Sequence, residues 1–181
     1  MQFKAQNYNL TVIQEHTYDL NSQDNIRHYH KEYQLLTDYG HTICYGITCE
    51  PGGANCVILA GGGGTTITNN SIIIIDRVWV AIGDEVVCLS LPSLDMLWHN
   101  KFDYYTCFEI FISPDNKGII IHGEMQISKI TFDGDIIWTT DGKDIFSEGF
   151  SIFPDHIEAV DFNNERYSIR LDNGITKITN S

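Results

Sequence analysis

The stretch Phe108-Glu-Ile-Phe-Ile-Ser-Pro-Asp-Asn-Lys-Gly-Ile-Ile-Ile-His-Gly-Glu-Met-Gln-Ile-Ser-Lys-Ile-Thr-Phe-Asp-Gly-Asp-Ile-Ile-Trp138 decides how this chain is read. Phe108 to Ile112 has the composition of a strand, Ser113 to Gly118 that of a turn, and Gly118 to His122 that of a second strand. Gly123-Glu124 turns the chain again. Ile127 to Phe132 makes a third strand, Asp133-Gly134 supplies residues that tolerate positive φ in a tight hairpin, and Ile136 to Trp138 opens a fourth.

Outward from this stretch the text recurs at an offset of 40 residues without a gap. Ile72, Ile112 and Ile152 coincide, as do Val80, Ile120 and Val160, and Ile82, His122 and Phe162. Turn residues coincide as well. Gly83-Asp84 meets Gly123-Glu124 and Asn163-Asn164, Pro114-Asp115 meets Pro154-Asp155, Gly134 meets Gly174, and Trp98 meets Trp138. A period of about 40 residues with four strands per unit is the mark of a β-propeller blade or of a related stacked-sheet array. The expected fold is therefore all-β, with about three four-stranded antiparallel repeats over residues 71–178 of a single domain, 1–181.

The segments Gly83 to Trp98 and Lys129 to Trp138 resemble the blades of quinoprotein-type β-propellers, in which a strand, a short turn and a strand ending in Trp dock against the next blade. The resemblance implies fold only, and no quinone site. Two departures stand out: the first copy lacks the usual Thr-Gly turn, and the third has Ile178 where the Trp would stand.

Three units are fewer than the four to eight of a closed propeller, so residues 1–70 either form a divergent fourth unit or cap an open array. Strands are expected at Tyr8 to Gln14, Thr42 to Cys49 and Asn55 to Gly61. Between them, a short helix over 22–37 is expected, capped by Ser22, with Ile26, Tyr29, Tyr33 and Leu36 on one face. A surface loop competes with it, because Asn25, His28 and His30 are poor helix formers.

The 43% hydrophobic and 19% charged composition is that of a folded globular chain. No run approaches the ~20 apolar residues of a membrane span, and the N-terminus lacks the apolar core of a signal peptide. Five cysteines without a CxxC suggest free thiols and a cytoplasmic setting. The net charge of −13 divides into −3 for residues 1–70 and −10 for the repeats. Such a field repels nucleic-acid backbones and speeds encounter with basic proteins.

Residues with chemical potential are explained more simply by structure. Gly61-Gly-Gly-Gly-Thr-Thr66 has no following Lys and no helix, so it reads as a connector and not as a phosphate loop. His28, His30, His41, Cys44, Cys49 and Cys56 lack zinc spacing, and Cys44 and Cys49 belong on opposite faces of one strand. Asp133, Asp135, Asp141 and Asp144 lack the order of a calcium loop. His122 with Glu124 or Asp103 could make an acid/base pair, but His122 sits where the sister copies have Ile82 and Phe162, a core position. No nucleophile elbow or HExxH motif occurs.

No catalytic, cofactor or metal residues are assigned, and no cofactor is expected. The aromatic segment around Tyr104 and Tyr105, with Asp103, Asp141, Asp144 and Glu148, is the expected partner-binding set. The function expected is that of a non-enzymatic acidic module that binds a basic protein partner, similar in character to bacterial immunity proteins that neutralise a toxin. Alternatives are a small hydrolase or carbohydrate-binding protein, and a scaffold or sensor.

Overall fold

The computed structural model describes residues 1–5, 7–35, 40, 42–63 and 66–179. They form four sheets in chain order. The first holds β1 (Gln2–Ala5), β2 (Tyr8–Gln14), β3 (Lys31–Gln34), β4 (Ile43–Glu50) and β5 (Ala54–Ala60), in the spatial order β1-β2-β4-β5-β3. The second holds β6 (Ile72–Ile74), β7 (Arg77–Ile82), β8 (Glu85–Ser90) and β9 (Met96–Lys101). The third holds β10 (Cys107–Ile112), β11 (Ile119–Gly123), β12 (Gln126–Ile130) and β13 (Ile136–Asp141), and the fourth β14 (Gly149–Ile152), β15 (His156–Val160), β16 (Arg166–Arg170) and β17 (Thr176–Thr179). Each four-stranded sheet is a simple antiparallel meander, as the 40-residue period predicts. The five-stranded first sheet, from the 1–70 part, is the divergent fourth unit.

The sheets stack face to face, and an apolar core lies between each neighbouring pair. Leu10, Ile47 and Ile58 meet Val80, Val87 and Leu89 between the first and second. Trp79, Val86 and Cys88 meet Ile110, Ile119 and Ile121 between the second and third. Ile120, Ile127 and Trp138 meet Ile157, Tyr167 and Ile169 between the third and fourth. Because side chains alternate across a strand, the run Ile119-Ile120-Ile121 feeds two cores at once, Ile120 facing one way and its neighbours the other.

Among the described residues, no core joins the first sheet to the fourth, and the chain covers the outer face of the first sheet but not that of the fourth. The outer face of the first sheet (Cys44, Val57, Leu59) lies under Tyr18, Leu20 and Tyr29 from the segment between β2 and β3. Tyr29 rests on Gly46, where any Cβ would collide with the phenol ring, and its hydroxyl donates to Glu15 at 2.5 Å. At the other end, β16 alternates buried Tyr167 and Ile169 with exposed Arg166, Ser168 and Arg170. That pattern belongs to a sheet with one face in water.

The tryptophans of the repeat interlock successive sheets. Trp98 lies on Gly134 of the next sheet and Trp138 on Gly174; an added Cβ would come within 3.1 and 2.8 Å of the indoles. Both glycines also have left-handed φ, +91° and +71°. Trp138 Nε1 donates to the Leu171 carbonyl at 3.0 Å. The joint between the first two sheets is built differently. The position equivalent to the glycines is Leu94, which keeps the left-handed conformation (φ 56°) but buries its side chain completely. Tyr33 of β3 takes the place of the tryptophan: its hydroxyl donates to the Leu94 carbonyl at 2.9 Å and accepts from Met96 N at 3.1 Å.

The helix expected over 22–37 is not present among the described residues. Asn25 closes the segment into turns by exchanging bonds with Asp19 N and O at 2.9 and 2.7 Å, and β3 then runs parallel to β5. Tyr29 and Tyr33 are thus spent on different surfaces, one on the sheet's outer face and one on the second sheet, which a helical stripe could not do. Ile26 is 85% exposed; Leu36 and Thr37 lie outside the described residues.

Candidate interaction surface

One end of the stack carries the turns β7–β8, β11–β12 and β15–β16 and the links between sheets. Backbone bonds stitch these loops into a continuous rim. Gly63 N donates to Tyr105 O, Cys107 N to Gly83 O, Glu124 N to Thr106 O, Phe146 N to Glu124 O and Phe162 N to Ile145 O, all at 2.7 to 2.8 Å. The glycine run therefore works as an anchored connector; Gly64 and Thr65 lie outside the described residues.

Asp103 is the centre of this stitching. One carboxylate oxygen accepts Tyr105 N and Thr106 N at 2.8 and 3.1 Å, the other Met125 N and Gln126 N at 2.9 and 2.8 Å. Its side chain is buried, so it does not face a partner as the sequence suggested. The correction has a plain cause: a carboxylate that satisfies four N–H groups is held inward by them.

The other expected residues are accessible. Tyr104 and Tyr105 are each 57% exposed. Tyr104 Oη approaches Asp141 Oδ1 at 3.4 Å, and Gln126 Nε2 donates to the same oxygen at 2.8 Å, so this turn, the 102–106 link and β13 meet at one point. Asp144 is half-buried and accepts Asn163 Nδ2 at 2.7 Å; Glu148 is exposed beside Ser147. Two further rim residues belong to this surface. Glu124 is half-buried, and Phe162 is 63% exposed although it aligns with buried Ile82 and His122. No local signal separated Phe162 from its core counterparts, because exposure there follows from no described residue packing on the outer face of the fourth sheet.

The rim's cations are already engaged. Lys101 pairs with Asp84 at 2.6 Å, a bond that raises the lysine pKa, and Lys143 pairs with Glu165 at 2.9 Å. Among the described residues, Asp141, Asp144, Glu148 and Glu124 have no cationic partner.

The other candidates are architectural in their placement. His122 is buried against Phe150, with ring centroids 4.1 Å apart, its Nε2 3.2 Å from the Phe146 carbonyl and its Nδ1 3.4 Å from Glu109. The first sheet separates Cys44 from Cys49 and Cys56, and His28 and His30 are exposed; His41 lies outside the described residues. Burial raises the pKa of all five thiols, to about 12 for Cys44 and Cys56, so none is a thiolate at neutral pH. Asp133 is tied to Arg77 at 2.7 Å, away from Asp141 and Asp144. Among the described residues, no group of three or more His, Cys, Asp or Glu is placed to hold a metal, and no helix is long and apolar enough to cross a membrane.

No family model and no curated protein matches the sequence. Among solved structures, BamB from Moraxella catarrhalis is similar with a TM-score of 0.54 and 14% identity, over 82% of this chain and 52% of that one. The Cps50 (Swd1) β-propeller domain from Myceliophteria thermophila matches with a TM-score of 0.48 and 7% identity, over 76% of this chain and 53% of that one. The chain spans about half the length of the structures it matches. Together with the four stacked sheets and the tryptophan–glycine joints, the likeness to BamB identifies the chain as having a β-propeller-like fold.

Proposed function

We propose that the protein is a non-enzymatic binding module that engages a basic protein partner through the rim of Tyr104, Tyr105, Asp141, Asp144 and Glu148, with Glu124 and Phe162 beside them. The observation that carries this reading is two half-exposed tyrosines, Tyr105 held at its backbone by Gly63 and Asp103 and Tyr104 near Asp141 through its hydroxyl, among carboxylates that have no cationic partner among the described residues. Fixed aromatic side chains lose little entropy on binding and dominate interface energies, while uncompensated carboxylates steer a cationic partner and reward its arrival. Asp103 acts through Tyr105 and the 125–126 turn, as a positioning residue. A partner of this kind fits a protein that neutralises a basic toxin, and the free, buried cysteines fit a reducing, cytoplasmic setting.

Purification from the native host at low salt is the test. One stoichiometric protein of high isoelectric point is expected, released on approaching about 1 M salt, where the screening length falls to about 3 Å. Tyr105→Ala should weaken its binding by about 2 kcal/mol and Asp141→Asn mainly its association rate. A partner that binds both variants like the wild type, or recovery of the monomer alone, counts against the reading.

A second reading, a ligand-binding protein or small hydrolase, is favoured by one feature. A polar cleft of about 300 Å³ lies beside the covered face of the first sheet, lined by Glu15, His16, Tyr18 and Asp19 among others. Glu15 in it is already committed to Tyr29 and Arg27, which leaves less free chemistry there than on the rim.

A further inference from the structure

The outer face of the fourth sheet is where a fifth sheet would stack if the repeat continued, and its residues depart from the pattern of the others. Where the third sheet turns Ile120, Ile127 and Trp138 toward its successor, the outward face of the fourth carries Ser168, Arg170 and Lys177. These residues are adjacent in space: Ser168 pairs with Lys177 across β16 and β17, and Arg170 with His156 across β16 and β15. Together with Asp155 and Ile175 they line a cleft of about 490 Å³.

The donors in this cleft are not all engaged. Arg170 uses Nε and Nη2 on Asp172, at 3.0 and 2.8 Å, which leaves Nη1 uncommitted. Among the described residues Lys177 makes no ion pair, nor does Arg166 two residues before Ser168 on the same face. The His156 ring stacks on Phe153 with centroids 4.7 Å apart and 7° between planes. Its Nδ1 lies 2.8 Å from Asp155 and its Nε2 3.5 Å from Glu158. The hydrogen bond to Asp155, aided by Glu158, raises the pKa of His156 and favours its charged form. Ile175, 58% exposed, adds apolar surface beside it. A sheet face that only met water would need polarity. It would not need a concavity in which cationic and hydroxyl donors converge beside apolar surface.

We propose that this cleft binds a small organic anion, a carboxylate or phosphate carried on an apolar or aromatic body. The anionic end is received by Lys177 Nζ, Ser168 Oγ and Arg170 Nη1, and the body lies against Ile175 and the His156 ring. Charge-assisted bonds to a group with several acceptor oxygens suit such donors, and a few placed polar groups beside apolar surface are the usual make-up of a ligand site. Asp155, Glu158 and Asp172 each face a cation of the cleft, so they hold the donors in place and limit the net positive charge. Affinity then comes from short contacts and not from a long-range field, which this acidic chain would turn against an anion.

The test is a two-dimensional amide NMR titration of the full chain with phenyl phosphate, with phenylacetate and with neutral phenylethanol. Both anions should give saturable shifts confined to β15, β16 and β17, at about millimolar affinity, whereas phenylethanol should not. The double variant Arg170→Gln/Lys177→Gln alters exposed side chains alone, and its spectrum reports that the fold is kept. It should weaken both anions by about tenfold or more. Raising the pH through the titration of His156 should weaken them further. Absence of saturable shifts, an equal response to phenylethanol, or unchanged affinity in the double variant would overturn the proposal and leave the face as a polar end to the stack. This outcome is independent of partner binding at the rim.

Discussion

Leu94 shows how one position can keep a backbone conformation while changing the way a joint is made. Its left-handed φ is what the equivalent Gly134 and Gly174 adopt, yet here the position carries a fully buried leucine side chain and a tyrosine, Tyr33, stands where a tryptophan does elsewhere. Leu94→Gly would relieve about 1 kcal/mol of backbone strain but empty a fully buried site worth about 3 kcal/mol. A net loss of about 2 kcal/mol is expected in urea denaturation, where a gain in stability would refute this account of the joint. Gly174→Ala combines strain with a 2.8 Å approach to Trp138 and should cost about 2 kcal/mol or more, exceeding Gly134→Ala, whose neighbour lies at 3.1 Å. At the rim, Asp103→Asn keeps the volume but exchanges one acceptor for a donor facing N–H groups. It should cost about 2–3 kcal/mol and speed amide exchange at Tyr105 and Met125.

Within the elements, acid sensitivity has an identifiable source. Burial pushes the Asp115 carboxyl up, but the Lys129 ammonium at 2.7 Å, the Ser113 hydroxyl and Lys117 N–H outweigh it and hold the pKa to about 2. Glu109 is likewise lowered, chiefly by its bond to His122. Both groups titrate below their unfolded values, so the stabilisation is complete above about pH 5 and is lost as the pH falls, for Asp115 on the way towards 2. Lys129 is itself buried where the sister repeats have Leu89 and Ile169. Lys129→Met leaves Asp115 without its cation and should lower stability at pH 7 by about 1–3 kcal/mol while flattening part of the acid limb. Unfolding measured at pH 3 and pH 7 for both proteins decides it; an acid limb unchanged in the variant would exclude Asp115 as its source.

The repeat strands were legible because four local signals agreed: apolar runs, turn residues, a fixed period and the paired tryptophans. The 22–34 segment was not, since Tyr29 and Tyr33 satisfy a helical spacing and are placed instead by two separate surfaces that no local pattern encodes. The rim was half legible. Tyr104 and Tyr105 could be found by composition, whereas the inward turn of Asp103 depends on N–H groups more than twenty residues away at Met125 and Gln126.

For the molecule as a whole, each sheet is joined to the next through its own core, so stability is close to a sum of sheets and joints. Among the described residues the second and third sheets have two joints each and the first and fourth one, the first with its outer face covered and the fourth with it in water, so amide exchange should be fastest in β14 to β17 and slowest in β7, β8, β11 and β12. Uniform protection across the four sheets would contradict serial stacking. The tryptophan joints also run in one direction, the second and third sheets each lending an indole to the one that follows. Trp138 is covered by the fourth sheet, while Trp79 and Trp98 contact the third. A chain reduced to Trp138 as its sole indole would thus carry a built-in fluorescence gauge of the final joint. Its emission would shift to the red when the last sheet lifts away, before the rest of the molecule has begun to unfold.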